Sequence, residues 1–193
     1  MRPSGQPVEA LEQIAFIRST MENAGSFTAV PGRGQMLIGA TALAAAYIAT
    51  LQTSQERWLL VWLAEAVVAL AIASVAIPLK AKRTRQSLSS GPARKFVLSF
   101  TPPMVVGALL TGVMFAGGIP QAIPAMWLML YGTAVITGGA FSTGIVPVMG
   151  LCFLTLGAIA SIAPATWIDW EMALGFGGLH LLFGGIISRR HGG

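Results

Sequence analysis

Long apolar runs alternate with short polar links from Gln35 to the C-terminal end of the chain. A helix needs roughly 20 apolar residues to cross about 30 Å of hydrocarbon, and six runs approach or reach that length. Lipid-exposed strands would need a closed barrel with alternating polarity, which these runs lack. The pattern therefore predicts an all-α membrane protein, with a six-transmembrane-helix bundle of antiparallel hairpins at 34–188. The predicted spans are 35–51, 58–79, 96–117, 123–140, 145–163 and 171–187.

The first 33 residues differ from the rest because they contain no membrane-length apolar run. Between about 7 and 23, apolar residues recur every three or four positions, which is typical of an amphipathic helix. These residues are Val8, Leu11, Ile14, Ile17 and Met21. Such a helix lies on a membrane surface, packs under the bundle or docks to a cytoplasmic partner, and the sequence leaves these alternatives open.

The composition supports membrane insertion and excludes an ordinary soluble domain. Hydrophobic residues make up 54% of the chain, charged residues only 10%, and the mean hydropathy is +0.72. Globular domains are roughly a quarter charged, so too few polar side chains remain to cover a water-facing surface. Cys152 is the one cysteine, so no disulfide can form within the chain, and no zinc pattern is present. We expect no metal and no cofactor.

The positive charge, +5 with a pI near 10.2, is concentrated between the spans. This distribution follows the positive-inside rule better than it fits a nucleic-acid partner, which we do not expect. All Lys and Arg residues except Arg57 fall on one side of a six-span chain, so we predict a cell-membrane protein with both termini, including the tail 189–193, in the cytoplasm. The cytoplasmic loop 80–95 is predicted to contact anionic lipid through Lys80, Lys82, Arg83, Arg85, Arg94 and Lys95.

The tryptophans give a second indication of the same orientation. In the six-span arrangement all of them fall at or beside the outer ends of the second, fourth and sixth spans. Indole rings prefer the headgroup level, so we predict that they are membrane-interface anchors. They are Trp58, Trp62, Trp127, Trp167 and Trp170.

A layer of polar residues is predicted within the spans, about 10–12 Å below the outer boundary at 1.5 Å per residue. Glu65 and His180 are ionisable groups well inside spans, where such residues are costly and by default functional candidates. Tyr131, Thr111 and Thr155 are predicted at similar depth. If these faces converge they line a cavity with a proton relay. Alternatively, each group is satisfied by one neighbour and has only a structural role.

These observations favour a small transport or permeation protein with a proton- or cation-sensitive carboxylate. A non-transporting scaffold or regulatory subunit that binds a cytoplasmic partner through residues 7–23 is the alternative, and an intramembrane lipid- or quinone-binding protein is a third. No familiar catalytic motif is present, so an enzymatic role stays uncertain. Small residues four apart predict either a tight bundle or a homo-oligomer in the bilayer.

Overall fold

A computed structural model of the chain describes residues 12–14, 16, 17, 21, 25 and 27–191. Within these residues the fold is helical and has no β-strand, only an isolated bridge between Phe27 and Ser142. Of the predicted amphipathic helix at about 7–23, residues 12–14, 16, 17 and 21 are helical and exposed. The rest of that helix lies outside the described residues.

Seven α-helices follow residue 31, with one π-helical segment, Ala173–Leu179, joining the last two into a continuous rod. Short 3₁₀ turns at Pro120–Ala122 and Ala165–Trp167 lead into α4 and α6. The bounds are α1 Gly32–Thr50, α2 Gln55–Arg83, α3 Gly91–Ala116, α4 Ile123–Gly139, α5 Ile145–Ala160, α6 Ile168–Met172 and α7 His180–His191.

Four of these helical stretches are long and apolar enough to cross a membrane, which identifies the class as a membrane protein by length and composition. They are Gln55–Arg83, Gly91–Ala116, Pro120–Gly139 and Ala165–Arg190. Ile145–Ala160 is apolar but shorter, with 16 residues. The all-helical class is therefore confirmed, whereas the count of six spans stays a prediction.

The predicted loop 80–95 is shorter in the structure because both flanking helices extend into it. Lys80, Lys82 and Arg83 form the last turn of α2, where cations interact favourably with the helix dipole. Ser90 accepts a hydrogen bond from the Ala93 amide and caps α3, so Arg94 and Lys95 are helical. Only residues 84–90 lie outside the helices.

Large apolar side chains lie mainly on the outside and small ones on the inside. Most of α2 and α3 is exposed, including residues such as Val67, Leu70 and Leu109. The buried face of α1 consists of glycine and alanine, for example Ala42, Ala45 and Ala46. A soluble protein cannot leave so much apolar surface in water, whereas lipid solvates it without cost.

Two pairs of helices come into backbone contact at glycines. Gly32 and Gly39 of α1 lie opposite Gly184 and Gly177 of the last rod, where an added Cβ would collide with backbone atoms or Leu43. The same arrangement recurs between α4 and α5, with Gly132 against Gly150. Seven residues make nearly two helical turns, so the glycines of each helix share one face. We call these contacts the α1–α7 seam and the α4–α5 seam.

One end of the bundle is crossed by an extended segment, residues 27–31, that we call the strap. The Phe27 amide donates to the Phe141 carbonyl at 2.6 Å, and Ser142 Oγ donates to the Phe27 carbonyl at 2.6 Å. The Thr28 amide donates to Gln86 Oε1 at 3.0 Å. Since these partners come from the α2–α3 and α4–α5 links, the strap ties both links together and covers this end of the core.

The seams predict opposite effects at two adjacent glycines of α7. In Gly184→Ala the new methyl would lie 2.8 Å from the Gly32 carbonyl oxygen and from the Met36 nitrogen, so α1 must move. Overpacking of this kind costs about 1–3 kcal/mol. Gly185→Ala is the control, because no atom lies within 4 Å of its added Cβ.

We expect the unfolding midpoint in detergent to fall for Gly184→Ala and to stay level or rise for Gly185→Ala. Equal midpoints for the two variants would contradict the close contact of α1 with α7.

Candidate functional site

The centre of the bundle holds a hydrogen-bonded pair formed by Tyr131 of α4 and His180 of α7. The Tyr131 hydroxyl and His180 Nε2 are 2.8 Å apart, and the histidine tautomer decides which of them donates. His180 is only 1% exposed. The structure therefore brings together two of the five residues predicted to form the polar layer.

Aromatic rings enclose this pair on several sides. The His180 ring lies edge-on to Phe153 at a centroid distance of 5.3 Å and is stacked on Phe176 at 6.2 Å. The Tyr131 ring contacts Phe153 at 4.8 Å and Phe100 at 5.9 Å. Such apolar surroundings exclude water and strengthen the hydrogen bond between Tyr131 and His180.

The π-helical segment ends directly before His180. A π-helix replaces i→i+4 with i→i+5 hydrogen bonds and is frequent at functional sites. Backbone groups of Gly175 and Phe176 approach the imidazole, yet His180 Nδ1 makes no hydrogen bond of acceptable geometry. A buried ring nitrogen without a partner is costly, so this position is a candidate for function.

Glu65 lies at a different place, between α2 and α1. Its Oε1 is 2.8 Å from Thr41 Oγ1, and Glu65 is 9% exposed. Thr41 Oγ1 is also 3.0 Å from the Ile38 carbonyl oxygen, an acceptor. The single hydroxyl proton of Thr41 can serve one acceptor at a time. The pair therefore suits either a carboxylate that accepts from Thr41 or a carboxylic acid that donates to it.

Thr111 and Thr155, the two threonines of the predicted layer, lie apart from both pairs. Thr111 Oγ1 accepts from Trp127 Nε1 at 2.8 Å and donates to the Gly107 carbonyl, which fastens α3 to α4. Thr155 is exposed on α5. The common depth of these residues stays a prediction, and the rotation of each helix about its axis decides which neighbours they face.

The predicted interface anchors divide into two groups. Trp167 and Trp170 are 56% and 77% exposed, as anchors would be. Trp62 is buried between Trp58 and Phe176, and Trp127 packs its ring on Gly107. Trp58 is half-buried and donates from Nε1 to Asp169 Oδ1 at 2.8 Å. Trp58, Trp62 and Trp127 thus join helices, which the prediction of anchors did not include.

Lys80 is the exception among the residues predicted to contact anionic lipid. It is 4% exposed, and its Nζ donates to the Val30 carbonyl of the strap at 2.8 Å. Because this ammonium is buried and bonded to the strap, it joins α2 to the strap, and the prediction of a lipid contact is wrong for Lys80. The others have exposed side chains, and Lys95 lies over the Phe141 ring at 5.8 Å: Lys82, Arg83, Arg85, Arg94 and Lys95.

Among the described residues, no group of three or more His, Cys, Asp or Glu side chains is placed to hold a metal ion.

A cavity of about 250 Å³ opens at the end opposite the strap, between the α1–α2 link, the first 3₁₀ turn and the start of α6. Trp58 and Asp169 line it.

Several residues of these sites were not predicted from the sequence. Thr41 could have been found, because Thr41 and Glu65 lie about equally far from the link 51–54 and therefore at equal depth in a hairpin. Phe153 and Phe176 carry no such signal, since apolar rings are common in spans. The Trp58–Asp169 bond joins residues far apart in the sequence and follows only from the packing of α2 beside the last rod.

No family model, no curated protein and no solved structure matches this chain. The class of membrane protein therefore depends on its four long apolar helices.

Removal of the Tyr131 hydroxyl tests the central pair. In Tyr131→Phe the ring packing is kept, but His180 Nε2 loses its hydrogen-bond partner within the core. We expect the free energy of unfolding to fall by about 1–3 kcal/mol, the usual cost of an unsatisfied buried group. Tyr47→Phe is the matched control, because Tyr47 is 68% exposed.

Reversible unfolding in detergent measures both variants. An unchanged free energy for Tyr131→Phe, or an equal loss in both, would show that the bond contributes nothing.

Proposed function

We propose that the chain crosses the bilayer six times, with both termini in the cytoplasm. Four helices have the length and hydropathy of spans, and α1, with 19 residues, extends about 28 Å at 1.5 Å per residue. The seams support the inclusion of α1 and α5, because each lies against a long apolar helix. The basic residues near the strap support a cytoplasmic location of that end.

The orientation can be tested with cysteines added to a Cys152→Ser background, since no other cysteine is present. Thr53→Cys and Ser89→Cys are both at exposed positions in links. We expect a membrane-impermeant maleimide to label position 53 on intact cells and position 89 only after the cells are opened. Labelling of both on intact cells would contradict the six-span arrangement.

We propose further that the protein moves protons or small cations, with Glu65 and His180 as protonatable sites. The observation that carries this proposal is that Glu65 and His180 are each bonded to a hydroxyl on a different helix: Glu65 to Thr41, and His180 to Tyr131. A change of protonation alters that bond and therefore the contact between two helices. Coupling of protonation to helix packing is what a proton-linked transporter requires.

Ionisable groups inside a bilayer are expensive, so they mark ion pathways and proton relays by default. The two pairs stand in separate parts of the bundle, and Phe176 with Trp62 fills the space from His180 towards α2. We therefore propose two sites that respond in sequence rather than one shared cavity. We place the outer end of the proposed proton or cation path at the cavity beside Trp58.

Flux across liposomes that contain the purified protein tests this function. We expect Glu65→Gln to reduce proton-driven flux by about tenfold or more, because the amide cannot take up and release a proton. The Gln side chain still accepts from Thr41, so the fold should persist. Thr155→Val is the control, since Thr155 is exposed and takes part in neither pair.

A folded Glu65→Gln protein with wild-type flux would refute the role of Glu65. A wild-type protein without any flux would instead favour the second candidate, a scaffold or regulatory subunit. One observation supports that candidate: the described residues of the N-terminal helix expose the apolar side chains Ile14, Ile17 and Met21. Such side chains suit a partner protein or a membrane surface.

A further inference from the structure

The wall of the cavity beside Trp58 contains one negatively charged side chain and no positively charged one. Its walls come from the α1–α2 link, the first turn of α2, the 3₁₀ turn before α4 and the residues around the start of α6. Asp169 is the sole charged residue among those that line it, while Gln52 and Gln121 supply neutral amides. A cavity with one carboxylate and no cationic side chain in its wall has a negative potential.

The hydrogen bonds already present leave acceptor oxygens on two residues of the cavity wall. Asp169 Oδ1 accepts from Trp58 Nε1, so the second carboxylate oxygen is left to accept. Gln52 Nε2 donates to the Ile48 carbonyl, which fixes the amide and leaves its Oε1 as an acceptor. The Trp58 ring, half-buried in the wall, adds an aromatic surface. Carboxylate, amide oxygen and indole together favour a cation.

We propose that this cavity is a binding site for a small organic ammonium ion. The indole of tryptophan is the strongest partner in cation–π contacts, which suits the weakly hydrated surface of an alkylated ammonium group. A volume of about 250 Å³ lies below the range of about 300–1,000 Å³ found for drug-sized ligands. The ligand is therefore small, with room for an ammonium head and a short chain.

The site extends the proposed function: it names small organic ammonium ions as the substrate class and places their binding at the outer end of the transport path. That assignment rests on the six-span orientation, but binding to the cavity does not. Binding can therefore be measured without any flux, and a failure of one leaves the other to be judged by its own assay.

Choline is a suitable probe, and 3,3-dimethylbutan-1-ol is its uncharged counterpart of the same shape. Purified protein in detergent is titrated with each compound at constant ionic strength, and binding is followed by the shift of the unfolding midpoint and by tryptophan fluorescence. We expect a saturable response to choline and none to the alcohol. Sodium and potassium chloride are expected to give no saturable response.

Asp169→Asn is the decisive variant, because the asparagine oxygen still accepts from Trp58 and the wall keeps its shape. We expect the affinity for choline to fall about tenfold or more, the usual effect of a charge-assisted contact. Glu56→Gln is the matched control: it removes one negative charge from the adjacent turn, and Glu56 does not line the cavity. We expect its affinity to change less than about twofold.

Four outcomes would overturn the proposal: no saturable binding of choline, equal binding of the alcohol, equal affinity in Asp169→Asn, or an equal loss in Glu56→Gln. Saturable binding of sodium or potassium in place of choline would also overturn it. If choline binding is lost in Asp169→Asn while the Glu65-dependent flux persists, the site is separate from the transport path.

Discussion

The close approach of helix backbones at glycines is the constraint on which the rest of the structure depends. In lipid, burial of apolar surface gives helices little reason to associate, so dispersion contacts and interhelical hydrogen bonds must hold them together. The α1–α7 and α4–α5 seams supply those contacts, because Gly39, Gly177, Gly132 and Gly150 have no side chain to keep the helices apart. Large residues are then left to face lipid, as on α2 and α3.

The seams also determine where the polar groups meet. His180 lies between Gly177 and Gly184 of the last rod, and Tyr131 precedes Gly132 of α4. Their hydroxyl-to-imidazole bond therefore joins two helices that are each already fixed by a glycine contact. Glu65 stands outside both seams and is held through Thr41 of α1 alone. The two buried pairs thus differ in how firmly their helices are fixed.

Sequence reasoning predicted the helical class and the approximate position of each helix, because apolar runs of membrane length leave few alternatives. It placed Glu65 and His180 within helices but could not say that they lie apart, since depth is readable from residue counts and helix rotation is not. Lys80 is a second residue whose neighbours could not be predicted from its position in the sequence. Its place in the predicted basic loop 80–95 indicated a lipid contact, but in the structure it is bonded to the Val30 carbonyl of the strap.

The strap gives the two ends of the bundle different properties. At one end the Lys80–Val30 bond and the Ser142–Phe27 bond hold extended backbone across the core, whereas the other end opens at the cavity beside Trp58. The strap is also buried in the core, with Phe27 4% and Ala29 0% exposed and the Phe27 ring 5.1 Å from that of Phe96. The proposed transport would require both these apolar contacts and the hydrogen bonds of the strap to break. The strap is also continuous with the N-terminal segment, where a cytoplasmic partner would bind. A partner bound there would act next to the end that the strap covers, so the proposed transport and the proposed regulatory role do not exclude each other.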